Sequence, residues 1–324
     1  MHVLAIVIPA YKPDFFRAAL DSVVAQTDRR FRVYVGDDGG PPEIQRISAS
    51  FASSGVDIVY RRFDENLGRR SLTAHWNRCV ALSREPWVWL FSDDDEMAPD
   101  CVASIHQELS RCRGGDILRF NTDVIDGRGR TLSVNAVHPE VETGVDFLYA
   151  RLRGERNSYV VEYVFRREAF DRAGGFPDYP VAWCADDVAW YAFSRGAELR
   201  TLHNGKVRWR ASGLNITDAN RRHQREKLEA GSRFLRFVHD EVAPSDRAST
   251  RSPDDWRRAE ERWWVDQIRY LMPLGPALWL RVLRASRGVW RRTGAGRVAT
   301  LAGWNVIATL RALRGVVRRL SRSR

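Results

Sequence analysis

The chain of 324 residues is poor in cysteine, and its four cysteines never occur at CxxC spacing. This argues against a zinc knuckle and against a framework of disulfides, and it favours a reducing compartment. No apolar run reaches the roughly 18–20 residues that a membrane-spanning helix needs. The GxxxxGK[ST] loop that cradles phosphates is also missing from the sequence. Any phosphate site must therefore use other groups.

Positive charge is concentrated at one end of the chain. The formal net charge is +11, and residues 273–324 contain twelve arginines and no acidic residue. Residues 1–272 therefore carry a net charge of about −1. A basic segment of this kind favours anionic partners, either lipid headgroups or nucleic acid. Nucleic acid is disfavoured, because the tryptophans belong to an apolar stripe and no nucleic-acid motif is present.

The basic tail has an amphipathic pattern from residue 306 onward. Apolar residues recur every three or four positions and arginines form a separate stripe, which indicates a helix lying in a membrane interface. A helical hairpin packed on the protein or on a second subunit would have the same pattern. The apolar stripe contains Val306, Leu310, Leu313, Val317 and Leu320. The arginine stripe contains Arg311, Arg314, Arg318 and Arg322. The candidate interfacial tryptophans are Trp279, Trp290 and Trp304.

Apolar strands alternate with helical patterns over the first ninety residues. The N-terminal segment MHVLAIVIPAYKPD lacks a basic region before its short apolar run, so we expect a buried strand rather than a signal peptide. Strands are predicted at 3–9, 31–37, 56–63 and 86–91, with helices between them. This alternation predicts an α/β fold with a doubly wound, mainly parallel sheet.

The second half of the chain is predicted to add more strands and then helices. Between the last two predicted helices, the sequence has a composition typical of a linker. The predicted elements are strands at 116–126 and 159–170, a strand pair at 198–209, helices at 217–240 and 256–271, and a linker at 243–255.

Acidic residues follow directly after two of the predicted strands. Asp37 and Asp38 come after the second strand, and Asp93 to Asp95 come after the fourth. Ligands of open parallel sheets bind outside the carboxyl ends of the strands. Clustered carboxylates at such a place suit Mg²⁺ or Mn²⁺, which can neutralise a leaving diphosphate. The alternative is a cap for the helix predicted to begin at Pro99.

A further acidic pair, Asp186 and Asp187, follows the Gly/Pro-rich loop that begins at residue 174, and opens the helix predicted at 188–195. A carboxylate at such a junction can act as a general base. The alternative is an ordinary helix N-cap.

The ordered motifs of residues 1–215 resemble those of inverting family 2 glycosyltransferases with the GT-A fold. The segments are VIPAYKP, VYVGDDGG, ENLGRRSLTAHWNRCV, WLFSDDDEMAPD and GGF…ADDVAW. The resemblance implies a GT-A-like catalytic domain at 1–215, with a nucleotide-sugar half at about 1–115 and an acceptor half at 116–215. We expect a helical extension at 216–272 and the basic amphipathic tail at 273–324.

The resemblance also implies roles for individual residues. Asp187, with Asp186 before it, matches the pair that supplies the catalytic base. His75 stands where the family carries an arginine, so Arg69, Arg70 or Arg78 could make that donor contact. The donor residues implied are Pro9, Ala10, Tyr11, Asp37, Asp38, Asn66, Gly68, Arg69, Asp93 and Asp94. The metal residues implied, for Mn²⁺ or Mg²⁺, are Asp93, Asp94 and Asp95, with His203 as a further candidate.

The reaction implied is transfer of a sugar, with inversion, from a nucleotide sugar to a hydroxyl of a glycan or lipid-linked acceptor. UDP is the expected nucleotide, with dTDP and GDP left open. Neither a QxxRW motif nor a spanning helix is found, which argues against a processive synthase. We expect a role in bacterial cell-surface polysaccharide synthesis, in the cytoplasm at the inner face of the membrane. The alternatives are a non-catalytic scaffold and an anionic-surface or nucleic-acid-binding protein that uses the arginine-rich tail.

Overall fold

The computed structural model of the chain describes residues 2–111, 115–195, 197–217, 222–245, 250–290 and 302–305. The chain divides into two units. One comprises Met1–Arg151 and Glu155–Asn215, and the other comprises Leu152–Gly154 and Ile216–Arg324. The predicted stripes of the tail, from residue 306 onward, lie outside the described residues, so the membrane-facing helix stays a prediction.

Strands and helices alternate through the first unit, and helices make up the second. The strands of the described residues are β1 (Leu4–Ala10), β2 (Phe31–Asp37), β3 (Asp57–Arg62), β4 (Trp87–Leu90), β5 (Glu96–Met97), β6 (Ile117–Ile125), β7 (Thr131–Val134), β8 (Val141–Thr143), β9 (Tyr163–Arg166) and β10 (Glu198–Arg210). The α-helices are α1 (Phe16–Val24), α2 (Glu43–Ser50), α3 (Leu72–Val80), α4 (Cys101–Ser110), α5 (Gly144–Leu152), α6 (Arg167–Ala173), α7 (Ala185–Phe193), α8 (Gln224–Phe237), α9 (Pro253–Leu271) and α10 (Pro276–Trp290).

All of these strands form one sheet, in the order β3-β2-β1-β4-β9-β6-β10-β5, with β7 paired to β6 and β8 to β10. The first four strands pair in parallel, and so do β6 and β10. Strand β9 is antiparallel to both of its neighbours, β4 and β6. The predicted α/β class with a mainly parallel core and a helical C-terminal extension is confirmed. The carboxyl ends of β1, β2, β4, β6 and β10 therefore share one edge with the start of β9.

The centre of the sheet is held by apolar burial. Strand β1, with the sequence LAIVIPA, is buried along almost its whole length, as expected for a parallel strand covered on both faces. Trp89 in β4 is fully buried and stacks on Phe120 of β6, with ring centroids 5.1 Å apart. Its indole N–H donates to the Val161 carbonyl at 2.7 Å. A buried tryptophan thus keeps a hydrogen-bond partner while it fills the core.

Two predicted elements differ from the structure. The strand predicted at 159–170 is only Tyr163–Arg166, because a 3₁₀ turn precedes it and helix α6 follows it directly. The predicted strand pair at 198–209 is a single long strand, β10. Asn204-Gly205 resembles a hairpin turn, but Gly205, with φ +84°, belongs to a bulge. At this bulge the pairing register of β10 with β6 shifts between Leu202 and Lys206. Such a bulge bends a strand without reversing it.

The described part of the second unit contains α8, α9 and α10. Helix α9 begins at Pro253, inside the predicted linker, because Ser252 and Asp255 form a capping box around its first turn. Trp304 lies under the Arg269 guanidinium at 4.6 Å, so this predicted interfacial anchor packs on α9. Across the part of the chain that is described, the helices are too short or too polar to cross a bilayer.

We predict that Gly205→Ala destabilises the first unit more than Gly174→Ala does. Both glycines have positive φ, so each substitution costs about 1–2 kcal/mol in backbone strain. A Cβ at Gly205 would also lie 2.8 Å from Cys101 Sγ and 3.1 Å from its Cα, whereas Gly174 faces open space. The total at Gly205 should reach about 2–5 kcal/mol, measured by denaturant unfolding. Equal losses at both positions would contradict the crowding.

Candidate active site

The three aspartates after β4 are fixed by backbone donors from two other strand ends. Asp93 Oδ2 accepts the backbone N–H groups of Tyr11 and Lys12 at 2.8 and 2.9 Å. Asp95 Oδ1 accepts the backbone N–H of Arg210 at 2.7 Å. The triplet therefore ties the ends of β1, β4 and β10 together.

Asp94 is the least committed member of the triplet. Its carboxylate accepts a hydrogen bond from the Ser92 hydroxyl at 2.5 Å and lies 4.0 Å from the Lys12 ammonium. Burial, and then repulsion by Asp94, raises the pKa of Asp93 to about 6 and the pKa of Asp95 well above its usual range. The site thus holds more negative charge than its protein partners neutralise.

The donor chemistry of the triplet fits Mg²⁺ or Mn²⁺, since all three side chains offer hard oxygen ligands. Among the described residues, no three or more His, Cys, Asp or Glu side chains converge so that they could hold a metal ion by themselves. Mg²⁺ ordinarily binds through one or two carboxylates together with substrate phosphates and water. Asp94, with its free coordination capacity, fits the role of such a carboxylate.

The end of β1 offers an aromatic surface next to the triplet. Tyr11 is 47% exposed, although its backbone N–H is bound by Asp93. Pro9 before it is half-buried, and the carbonyl of buried Ala10 accepts the Asp38 backbone N–H at 2.9 Å. An exposed tyrosine held by a rigid strand end can stack on a nucleotide base.

Both acids after β2 are bound by the protein itself. Fully buried Asp37 accepts hydrogen bonds from the Gly40 backbone N–H at 2.7 Å, from Arg62 at 2.8 Å and from the Tyr60 hydroxyl. Burial, and then the hydrogen bond to Asp37, raises the pKa of Tyr60 to about 12, so the phenol stays protonated and donates. Asp37 consequently stabilises the turn after β2 from within.

Asp38 organises the predicted donor loop at 66–69. Its two carboxylate oxygens accept the backbone N–H groups of Leu67 at 2.9 Å and Gly68 at 2.8 Å. Gly68 is required here, because a Cβ would lie 2.5 Å from Asp38 Oδ2. Asn66 Oδ1 accepts the Arg69 backbone N–H at 2.9 Å, and the Arg69 side chain is exposed.

His75 is not a cation of this site. It is buried, and burial lowers its pKa to about 4 in spite of Asp38 nearby, so the imidazole is neutral at physiological pH. Arg78 instead supplies the positive charge. Its guanidinium pairs with Asp38 and donates to the Glu65 carbonyl at 2.9 Å. Of the arginines considered as substitutes, Arg78 is therefore bound to the loop, whereas Arg69 and Arg70 remain on the surface.

The second acidic pair is asymmetric. Both carboxylate oxygens of Asp187 pair with Arg151, at 3.0 Å to Nε and 3.1 Å to Nη2. Half-buried Asp186 forms no side-chain ion pair with any described residue and faces backbone N–H groups of the first turn of α7. Burial, and then the charge of Asp187, raises the pKa of Asp186 to about 7. Asp186 is thus the member of the pair poised to exchange a proton near neutral pH.

His203 lies apart from the triplet. It is an exposed residue in the bulge of β10, whereas Asp95 contacts Arg210 at the end of the same strand. Seven residues of extended strand separate the two positions by roughly 20 Å. The structure therefore brings Asp93, Asp94 and Asp95 together and leaves the candidate ligand His203 elsewhere.

Residues 5–153 match the sequence model of glycosyl transferase family 2. The chain resembles the family 2 glycosyltransferases. A search of curated proteins gave no significant match. Together with the fold, the family match supports a nucleotide-sugar glycosyltransferase.

Solved structures share the fold. S. aureus TarS 1-349 in complex with UDP-GlcNAc matches with a TM-score of 0.53 and 13% identity, over 84% of this chain and 82% of TarS 1-349. The mannosyltransferase PcManGT from Pyrobaculum calidifontis, in complex with GDP-Man and Mn²⁺, matches with a TM-score of 0.55 and 13% identity, over 95% and 80% of the two chains. At this identity the likeness establishes the GT-A fold alone.

Two residues that sequence reasoning did not assign to the site contact its acids. Lys12 approaches Asp94, and Arg151 binds Asp187. Lys12 was detectable in principle, since it follows Tyr11 in the first motif. Arg151 gave no signal, because its pairing joins residues 36 positions apart.

We predict that Asp186 titrates near pH 7 in the protein without ligands. Replacing Asp187 with Asn removes the neighbouring negative charge and frees Arg151, so the pKa of Asp186 should fall towards its usual range. Carbon-13 NMR of labelled aspartate carboxyls would follow both titrations, with Asp186→Asn assigning the signal. An unchanged pKa of Asp186 in Asp187→Asn would contradict the coupling.

Proposed function

We propose that the chain is a metal-dependent, inverting, non-processive glycosyltransferase that moves a sugar from a nucleotide sugar to an acceptor hydroxyl. The observation that carries this proposal is that one unit of GT-A fold contains two acids, Asp94 and Asp186, whose carboxylates have few compensating partners in the protein. One can meet a cation and a diphosphate, and the other can take a proton. These are the two groups that such a displacement needs.

The donor would bind at the carboxyl edge of β1, β2 and β4. The base would stack on Tyr11 beside Pro9 and Ala10, and the diphosphate would face Asp94 and Lys12. The loop at Asn66, Gly68 and Arg69, fixed by Asp38, would border the same pocket. UDP remains the expected nucleotide. GDP is a strong second choice, since TarS is complexed with UDP-GlcNAc and PcManGT with GDP-Man.

Asp186 would act as the general base. Its carboxylate takes the proton of the acceptor hydroxyl, and the acceptor oxygen forms a bond to the anomeric carbon. The bond from that carbon to the diphosphate oxygen breaks on the opposite face, so the configuration inverts and a nucleoside diphosphate leaves. Arg151 would hold Asp187 in place, and Asp187 would keep the proton affinity of Asp186 high.

A divalent cation at Asp93, Asp94 and Asp95 would stabilise the negative charge of the departing diphosphate. The triplet itself would orient the cation, because Asp93 and Asp95 are already fixed by backbone donors. We further propose a glycan or lipid-linked acceptor in bacterial cell-surface polysaccharide synthesis. The protein would work in the cytoplasm at the inner face of the membrane.

We predict metal-dependent release of a nucleoside diphosphate from one donor in a panel of UDP-, dTDP- and GDP-sugars. Asp94→Asn should abolish the release, since it removes the carboxylate with free coordination capacity. Asp100→Asn is the matched control, because Asp100 is an exposed acid just after the triplet whose side chain caps nothing. Release would be measured with Mn²⁺, Mg²⁺ or EDTA. No release together with no nucleotide binding by calorimetry would favour the non-catalytic scaffold.

Asp186→Asn is predicted to lower kcat by about 10²–10⁴-fold while nucleotide affinity stays unchanged, as expected for loss of a general base. In the wild type, kcat/KM should rise with pH through about 7, because the deprotonated carboxylate is the active form. In Asp187→Asn this rise should move to lower pH as the pKa of Asp186 falls. Loss of nucleotide affinity in Asp186→Asn would place this acid in donor binding instead.

A further inference from the structure

An exposed hairpin rises from the same edge of the sheet as the triplet. We call residues 126–137, the turn after β6 together with β7 and the segment after it, the flap. Its three largest apolar side chains, Leu132, Val134 and Val137, are 59%, 64% and 67% exposed. Leu132 and Val134 lie two residues apart in β7, and a bulge at Leu132 interrupts the pairing of β7 with β6. Adjacent apolar groups at this exposure mark a contact surface.

The flap carries a small positive charge. Its charged residues are Asp126, Arg128 and Arg130. Arg130 pairs with Asp126 at 2.8 Å, whereas the exposed Arg128 side chain forms no ion pair with a described residue. Apolar groups beside unneutralised arginine are the composition of a surface that binds anionic headgroups and inserts into the interface.

The flap is held rigidly beside the triplet. Arg210 donates to the Asp126 carbonyl at 2.9 Å and to the Asp94 carbonyl at 2.7 Å, so one side chain links the two. Arg208 binds the Gly129 carbonyl, and a Cβ at Gly127 would lie 3.6 Å from Phe15. The apolar face therefore has a fixed position at the rim of the candidate active site.

We propose that the flap is a docking surface for an anionic membrane, separate from the basic tail. The free edge of β7 could instead pair with β7 of a second copy, since β7 pairs only with β6 among the described strands. The free Arg128 favours lipid, because Asp126 is already paired with Arg130 and the charge that remains on the flap is complementary to anionic headgroups. Docking here would bring a membrane-carried acceptor to the site edge, and it requires no catalytic step.

The test measures the emission of a dye attached to the flap. Binding of the whole protein would not be informative, because the basic tail can hold the protein on the same vesicles. Val134→Cys is labelled with an environment-sensitive nitrobenzoxadiazole dye. The variant also carries Cys112→Ser, so that the remaining native cysteines are the buried Cys79, Cys101 and Cys184. The control is Val59→Cys, an exposed valine (38%) on β3 at the other end of the sheet. Vesicles of phosphatidylcholine with phosphatidylglycerol should shift the emission of the dye at 134 to the blue and leave that at 59 unchanged.

Arg128→Gln should weaken the response at 134 about fivefold, since a basic residue near an anionic surface contributes about 1 kcal/mol. Pure phosphatidylcholine should give a weaker response. Unchanged emission at 134 while the protein sediments with the vesicles would overturn the proposal. So would a dimer in light scattering that Val134→Asp abolishes, because the flap would then be a subunit interface. Donor release without vesicles should be unchanged in Leu132→Asp, which separates failure here from failure of the proposed activity.

Discussion

The buried guanidinium of Arg210 is the interaction on which the arrangement of the site depends. It donates to the carbonyls of Asp94 and Asp126 and pairs with Glu96, and the backbone N–H of the same residue binds Asp95. A buried charge is tolerated only when its donors are satisfied, and breaking such a pair costs about 3–5 kcal/mol. Arg210 therefore makes the loop after β4, the tip of the flap and the end of β10 one rigid assembly.

The acids of this edge divide into those that the protein uses and those that it leaves free. The carboxylate oxygens of Asp37 and Asp38 accept hydrogen bonds from backbone and side-chain donors, and both oxygens of Asp187 pair with Arg151. Asp94 and Asp186 have fewer partners, because Asp94 accepts one hydrogen bond from Ser92 and Asp186 faces only backbone N–H groups among the described residues. A saturated carboxylate has little capacity left for a ligand, so binding capacity is concentrated in these two residues.

The sequence was sufficient to predict which elements form the edge of the sheet but not how the acids are used. Apolar runs followed by Asp37 and by Asp93 placed both groups at strand ends, since the local pattern determines strands in a parallel sheet. The turn-like Asn204-Gly205 was misleading, because pairing with β6 on both sides of the bulge keeps β10 continuous. The partners of Asp187 and Asp95 lie 36 and 115 residues away and give no local signal.

Under the proposed function, charge balance would favour a divalent cation at the triplet once a donor binds. Within the described residues, the triplet's side chains form one ion pair, the 4.0 Å contact between Asp94 and Lys12. A diphosphate brings further negative charge to the same place, and two like charges about 4 Å apart repel by about 4 kcal/mol at an effective dielectric constant near 20. One ammonium group cannot offset both the phosphates and the negative charge that remains on the triplet. Under the proposed function, Asp94 would hold a divalent cation whose charge offsets that of the diphosphate, so donor affinity and metal affinity should rise together.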